Sequence, residues 1–241
     1  MPEHSEPYLD KDLVDYLSEF ISKDLRLQME RILNLRTLSL TVVLEDVFQP
    51  HNTSAAIRSC ESFGIQDIHI IENKNLYRPN KDIVMGADKW IELHRYGGNS
   101  GDQTKACLDR IKSQGYTIVA TTPKEDALPL DKLPINKNLA FCFGSEKNGL
   151  SSSALASAEL LTRIPTVGFT QSLNLSVSVA ICLYHITGRI RKERMDWKLT
   201  SLQRRKILLS WLKKAVRNSH LIERRFLNLT PPITKQHPTD S

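Results

Sequence analysis

A chain of 241 residues, 40% hydrophobic and 25% charged with only 10 Gly and 11 Pro, holds one large domain with room for extensions and is neither collagenous nor wholly disordered. No run reaches the roughly 18 apolar residues of a membrane span, and Met1 to Glu6 lacks the basic start and apolar run of a signal peptide, so the cytoplasm is the expected location. The net charge of +6 is uneven: Met1 to Arg36 has five Lys and Arg against eight Asp and Glu, Thr37 to Gly188 fourteen against fifteen, and Arg189 to Arg225 thirteen against three, which makes a polyanion the expected partner.

The first periodic segment sets Leu13, Tyr16, Leu17 and Phe20 at i, i+3, i+4 and i+7, the apolar stripe of one helix, so residues 1–37 read as a helical extension. At Leu38 the pattern changes to Leu-Ser-Leu-Thr-Val-Val-Leu44, short, β-branched and mostly apolar, as in a strand covered on both faces. Further apolar runs stand at Asp67 to Ile71, Tyr116 to Thr121 and Leu139 to Phe143, with helical spacing at Ser54 to Phe63, Gln103 to Gln114 and Ser151 to Glu159. The alternation predicts an α/β domain over 38–194, a mainly parallel sheet with helices on both faces and a ligand off the strand C-termini. Leu173 to Ile186 alternates like a strand but has the length of a buried helix continuing into the basic stretch. Residues 195–229 read as a basic helical extension, in which Ser201 opens a helix with Leu208, Trp211, Leu212 and Ala215 on one stripe. The Pro-Pro and polar segment 230–241 reads as a disordered tail.

Cys60, Cys107, Cys142 and Cys182 are scattered among apolar neighbours, and the seven His form neither H-x-H nor H-E-x-x-H. Buried reduced thiols are expected, with no disulfide framework and no metal site. After Leu44 comes Glu-Asp-Val-Phe-Gln-Pro-His-Asn, without the G-x-G-x-x-G of a dinucleotide loop. Gly144 and Gly149 have the spacing of a triphosphate loop, but Leu150 and Ser151 stand where Lys and Ser or Thr belong, and no G-x-S-x-G esterase motif occurs.

The unusual polar residues gather in three loops, each after an apolar run: Pro50-His-Asn-Thr-Ser-Ala-Ala-Ile-Arg58, Phe143-Gly-Ser-Glu-Lys-Asn-Gly-Leu150 and Ile164-Pro-Thr-Val-Gly-Phe-Thr-Gln-Ser-Leu-Asn174. Taken singly, each has an ordinary explanation: a helix cap for Asn52 or Asn174, a surface charge for Glu146, an ion pair for Arg58. Together, in this order, they resemble the three signature motifs of the SpoU (TrmH) family of RNA ribose 2′-O-methyltransferases, within the SPOUT superfamily. Gly86-Ala-Asp-Lys-Trp90 is similar to a segment of the TrmH branch, whose substrate is the D-loop guanosine of tRNA at position 18. The resemblance covers roughly Leu38 to Arg194. It departs at Glu45-Asp46, where the branch often has Glu-Asn, and at Asn148, where an aromatic can stand.

The resemblance implies a trefoil knot near the C-terminal end of the domain, S-adenosylmethionine as cofactor, tRNA as partner, and a homodimer with shared active sites. It implies that Phe143, Gly144, Ser145, Glu146, Gly149 and Leu150, with Ile164, Pro165, Gly168, Ser172 and Leu173, hold the cofactor. Leu150, Ile164 and Leu173 would be its apolar walls, the glycines would allow close backbone approach, and Pro165 would stiffen the turn. It assigns Arg58 to the ribose hydroxyl and Asn52, Glu146, Ser172 and Asn174 to arranging substrate and loops. A guanidinium keeps its proton, so the role given to Arg58 is orienting phosphate and stabilising oxyanion character. The chemistry needs no metal and no membrane. RNA contacts are expected from Arg58, Arg189, Arg191, Lys192, Arg194, Arg204, Arg205, Lys213 and Lys214, and stacking from Trp197, with Trp211 in the core. Ribosomal RNA is an alternative substrate, but such relatives often carry a globular N-terminal RNA-binding domain, for which about 36 residues are too few. A catalytically silent RNA-binding protein is the other alternative; it would normally have lost Arg58 or the third motif, and both are present.

Overall fold

The apolar runs become strands of one seven-stranded sheet in the computed structural model, which describes residues 7–98, 101–194 and 196–229. The strands are β1 Leu40–Glu45, β2 Asp67–Glu72, β3 Glu92–Gly97, β4 Tyr116–Thr121, β5 Leu128–Pro129, β6 Asn138–Phe143 and β7 Leu160–Arg163. Their order is β3-β2-β1-β6-β4-β7-β5, and every neighbouring pair is parallel. Parallel strands need covered faces, and the two-residue period supplies two apolar surfaces. Val42, Leu44, Val119, Phe141 and Phe143 pack with Ala56 and Ile57 of α3 (Pro50–Ser62) and with Leu183 and Ile186 of α7 (Leu175–Glu193). Val43, Ile118, Ala140 and Cys142 instead pack with Cys107, Leu108 and Ile111 of α5 (Gln103–Ser113) and Ala154 of α6 (Ser152–Ser157). Helices thus lie on both faces, as the sequence predicts. All four cysteines are free and buried, and burial pushes their thiols up from the ordinary range.

The ambiguous stretch after Leu173 is helix α7. Asn174 caps it, its Oδ1 accepting from the Ser176 backbone N–H at 2.9 Å. Leu175, Val179, Leu183 and Ile186 turn inward, whereas Val177, Ile181 and Tyr184, at i, i+4 and i+7, face outward and are exposed. β3, β5 and β7 are strands that the sequence pattern does not announce. β3 is a half-exposed edge strand with charged residues, and β5 and β7 are only two and four residues long. Between β2 and β3 the chain makes a short α4 (Lys81–Val84) and a 3-10 turn, Ala87–Lys89, in which Lys89 Nζ sits 4.9 Å over the Trp90 ring.

The chain divides into two compact units, Leu35–Leu199 and a second built from the described parts of 1–34 and 200–241. In the second, α1 (Pro7–Ser18), α2 (Lys23–Leu33), α8 (Ser201–Ala215) and α9 (Ser219–Leu229) pack together, burying Leu13, Leu17, Met29, Leu33, Leu208, Trp211 and Leu212. The N-terminal segment is therefore two helices rather than one. Ser22 Oγ accepts from the Leu25 N–H at 3.2 Å and starts α2, and Phe20 lies past the end of α1, exposed. Helix α9 is also additional to the sequence reading. The tail expected to be disordered, 230–241, lies outside the described residues. No helix among those described is long and apolar enough to cross a membrane.

Candidate active site

A parallel sheet delivers all its strand ends to one edge, so the loops after β1, β6 and β7 share that edge. Beyond β1, Asp46 takes a left-handed turn at φ 49°, and its Oδ1 accepts from the backbone N–H of Lys74 at 2.7 Å and of Asn75 at 3.3 Å. Pro50, pre-set for a first helical turn, opens α3 and puts Asn52 at its start, buried. Asn52 Nδ2 donates to Glu146 Oε1 at 2.5 Å, and Asn174 Nδ2 donates to Asn52 Oδ1 at 3.1 Å. Glu146 Oε2 accepts from the Phe48 backbone N–H at 3.2 Å. A carboxylate only accepts, so it fixes which way the Asn52 amide points and leaves Oδ1 for Asn174. One hydrogen-bonded chain therefore ties together all three loops.

The second loop turns back on itself. Ser145 and Gly149 exchange backbone hydrogen bonds at 3.1 and 2.8 Å, and a Cβ on Gly144 would stand 2.0 Å from the Gly149 carbonyl carbon, so only glycine fits. Gly149 itself has φ 65°. Phe143 and Leu150 are buried, and Ser145 is half-buried. In the third loop Ile164 and Leu173 are half-buried, while Pro165, Gly168 and Ser172 are exposed. Residues 165–173 make no hydrogen bond among the described residues, which leaves a run of backbone donors and acceptors open beside apolar side chains.

Arg58 stands six residues after Asn52, so the two point about 120° apart round the helix. It is exposed and has no hydrogen-bond or ion-pair partner among the described residues. The fold thus brings Asn52, Glu146 and Asn174 into contact and leaves Arg58 and Ser172 outside that network.

The basic stretch divides in two. Arg189 Nη1 donates to the Leu133 carbonyl at 2.8 Å, Arg191 Nη2 to that of Phe63 at 2.8 Å, and Arg194 Nη1 to that of Lys137 at 2.8 Å while also pairing with Asp196. Arg204 donates to Asn34 Oδ1 at 2.7 Å, and Lys213 pairs with Glu223 at 2.5 Å. These five side chains hold the protein's own groups. Arg205 is half-buried; Lys192 and Lys214 are exposed, and Lys206, Arg217, Arg224 and Arg225 add further exposed cations to the same stretch. Trp197, offered by the sequence for base stacking, instead packs against the core with Arg191 5.7 Å over its ring, and Trp211 is core as expected. Sequence reasoning gave no role to Phe48, exposed beside Glu146, or to Glu45, the buried carboxylate that closes β1.

The sequence model of the SpoU rRNA Methylase family matches residues 39–184. A Borreliella burgdorferi protein named tRNA (guanosine(18)-2'-O)-methyltransferase is 41% identical over 210 residues, 87% of this chain and 94% of that one. A Thermus thermophilus protein of the same name is 32% identical over 195 residues, 78% of this chain and 96% of that one. A solved structure described as the A. aeolicus TrmH/SpoU tRNA modifying enzyme superposes with a TM-score of 0.70 at 27% identity, covering 80% of this chain and 99% of that one. With its three motif loops tied at one sheet edge and relatives matched over nearly their whole length, the chain belongs to the SpoU methylase family.

Proposed function

We propose that the protein transfers a methyl group from S-adenosylmethionine to a ribose 2′-hydroxyl of tRNA, at the D-loop guanosine numbered 18 in the names of its relatives. The observation that carries this is the chain Asn174 to Asn52 to Glu146, which holds three motif loops in one arrangement. The cofactor fits the open backbone groups of 165–173 and the apolar side chains of Leu150, Ile164 and Leu173. When bound, it supplies an electrophilic methyl group on a sulfonium, which the ribose oxygen takes as the carbon–sulfur bond breaks. Arg58 orients the adjacent phosphate and stabilises negative charge on the oxygen as its proton leaves to solvent. Asn52, Glu146 and Asn174 keep the loops in register, and Ser172, exposed in the third loop, is assigned with them to arranging the substrate.

Catalysis is assigned to residues 38–194, with the trefoil knot of the family, and RNA docking to the exposed cations of 195–229 together with Lys192. A homodimer is supported by the outward stripe Val177, Ile181 and Tyr184 and by the fully exposed Val167 and Phe169. Arg58, without a partner among the described residues of its own chain, would then serve the site of the second subunit. The reaction runs in the cytoplasm without a metal or a membrane.

The test is mass-spectrometric nucleoside mapping of RNA from a strain lacking the gene, before and after adding pure protein. The expected result is 2′-O-methylguanosine restored in the tRNA D-loop. A mark appearing only in ribosomal RNA, or no mark, overturns the assignment.

A further inference from the structure

The strand feeding the first loop ends on Glu45, which is 2% exposed. Its Oε2 accepts from the Ser151 backbone N–H at 2.8 Å, and its Oε1 accepts from Ser151 Oγ at 2.7 Å and Thr104 Oγ1 at 2.5 Å. No cation pairs with it among the described residues. A buried carboxylate is costly unless its lone pairs are filled, and here three donors fill them without a counter-charge.

What such a group does that a neutral amide does not is accept only. Every donor around it must point inward, which leaves Ser151 a single orientation. Thr104 is fixed likewise: its hydroxyl accepts from Asn73 Nδ2 at 2.9 Å, so its proton goes to Glu45. Ser151 Oγ also caps α6, accepting from the Ala154 N–H at 3.1 Å. Ser151 directly follows Gly149 and Leu150, and Gly149 is paired to Ser145. The placement of Ser151 therefore sets the whole 144–150 turn.

We propose that Glu45 is a positioning residue for the methyl-donor site, holding the 144–150 loop in its binding conformation through Ser151. The proposal rests on the functional reading above. Glu45→Gln keeps the size of the side chain and replaces one acceptor with a donor; Ser151→Ala removes one hydroxyl and keeps the backbone bond. Calorimetry with S-adenosylhomocysteine reads the site without turnover or RNA, beside the melting temperature of the free protein and donor KM and kcat at saturating tRNA.

Glu45→Gln is expected to weaken binding on the order of tenfold and raise donor KM by the same factor, while kcat at saturating donor stays within about threefold. Ser151→Ala should lose less, and the double variant should bind no more weakly than Glu45→Gln, because both act along one connection. Unchanged affinity in a Glu45→Gln protein that melts lower overturns the proposal and leaves a purely structural carboxylate. Should that variant not fold, unchanged affinity in Ser151→Ala overturns it equally. Failure of the unaltered protein to bind overturns the functional reading itself, a result distinct from either.

Discussion

Replacing Asn52 with Asp changes one atom of the chain linking the three loops, turning the amide nitrogen 2.5 Å from Glu146 Oε1 into an oxygen. With both carboxyls ionised, two unit charges at that separation repel by about 7 kcal/mol at an effective dielectric near 20 and about 2 kcal/mol in bulk water. Asn52 is buried and Glu146 exposed, so the unrelaxed penalty falls between these values. The pair escapes by sharing a proton, as adjacent carboxyls do. The folded variant then holds that proton more tightly than the unfolded chain, whose carboxyls titrate near pH 4. Its penalty is therefore absent at low pH and grows as pH rises through the raised value. Asn52→Ala is the control: it removes the bonds to both Glu146 and Asn174 without adding charge, and costs about 1 kcal/mol for each bond at every pH. Melting temperatures of the three proteins between pH 5 and 8 should show the deficit of Asn52→Asp against Asn52→Ala widening toward pH 8. If the two variants track each other throughout, Asn52 and Glu146 are not hydrogen-bonded in the folded protein and the link fails.

Arg58→Lys should keep S-adenosylmethionine affinity by calorimetry but lose on the order of 100-fold to 1,000-fold in single-turnover transfer; near-normal turnover at saturating tRNA would remove Arg58 from the mechanism. Co-expressing Arg58→Ala with Asn174→Ala at equal levels tests sharing: half the dimers are mixed, one site of each mixed dimer is free of both lesions, and activity should recover to about one quarter. Background activity from a demonstrated heterodimer would rule sharing out. His69 is held down to about 3 by burial, then by His94 and Arg110, so the unfolded chain binds its proton first as pH falls below about 6.5. Its contribution is full above that pH and shrinks by about 2 kcal/mol by pH 5, so His69→Gln should flatten the pH dependence of unfolding free energy between pH 5 and 7 by that amount, and an unflattened curve would refute it.

β1, β2, β4 and β6 are legible because their apolar runs are bounded by polar segments, and α3, α5 and α6 because their apolar residues recur at helical spacing. β3 is not, because an edge strand with Glu92, His94 and Arg95 has no continuous apolar run, and β7 is too short to show a period. The candidate residues Asn52, Glu146 and Asn174 each stand out in a motif, but their pairing does not. Asn52 and Glu146 lie 94 positions apart, and only the fold determines which amide meets which carboxylate. Charge counting located the basic stretch correctly, yet it could not separate exposed cations from Arg189, Arg191 and Arg194, whose partners are backbone carbonyls and so leave no trace in composition. Trp197 shows a related limit: the sequence has an aromatic among cations, and only the fold shows that it packs against the core with Arg191 and Lys198 over its ring.

The most direct measurement is transfer of labelled methyl from S-adenosylmethionine to two synthetic tRNAs that differ by one oxygen, one with guanosine and one with 2′-deoxyguanosine at D-loop position 18. Label on the first and none on the second is the result expected for methylation of that 2′-hydroxyl. Equal labelling of the two would contradict it.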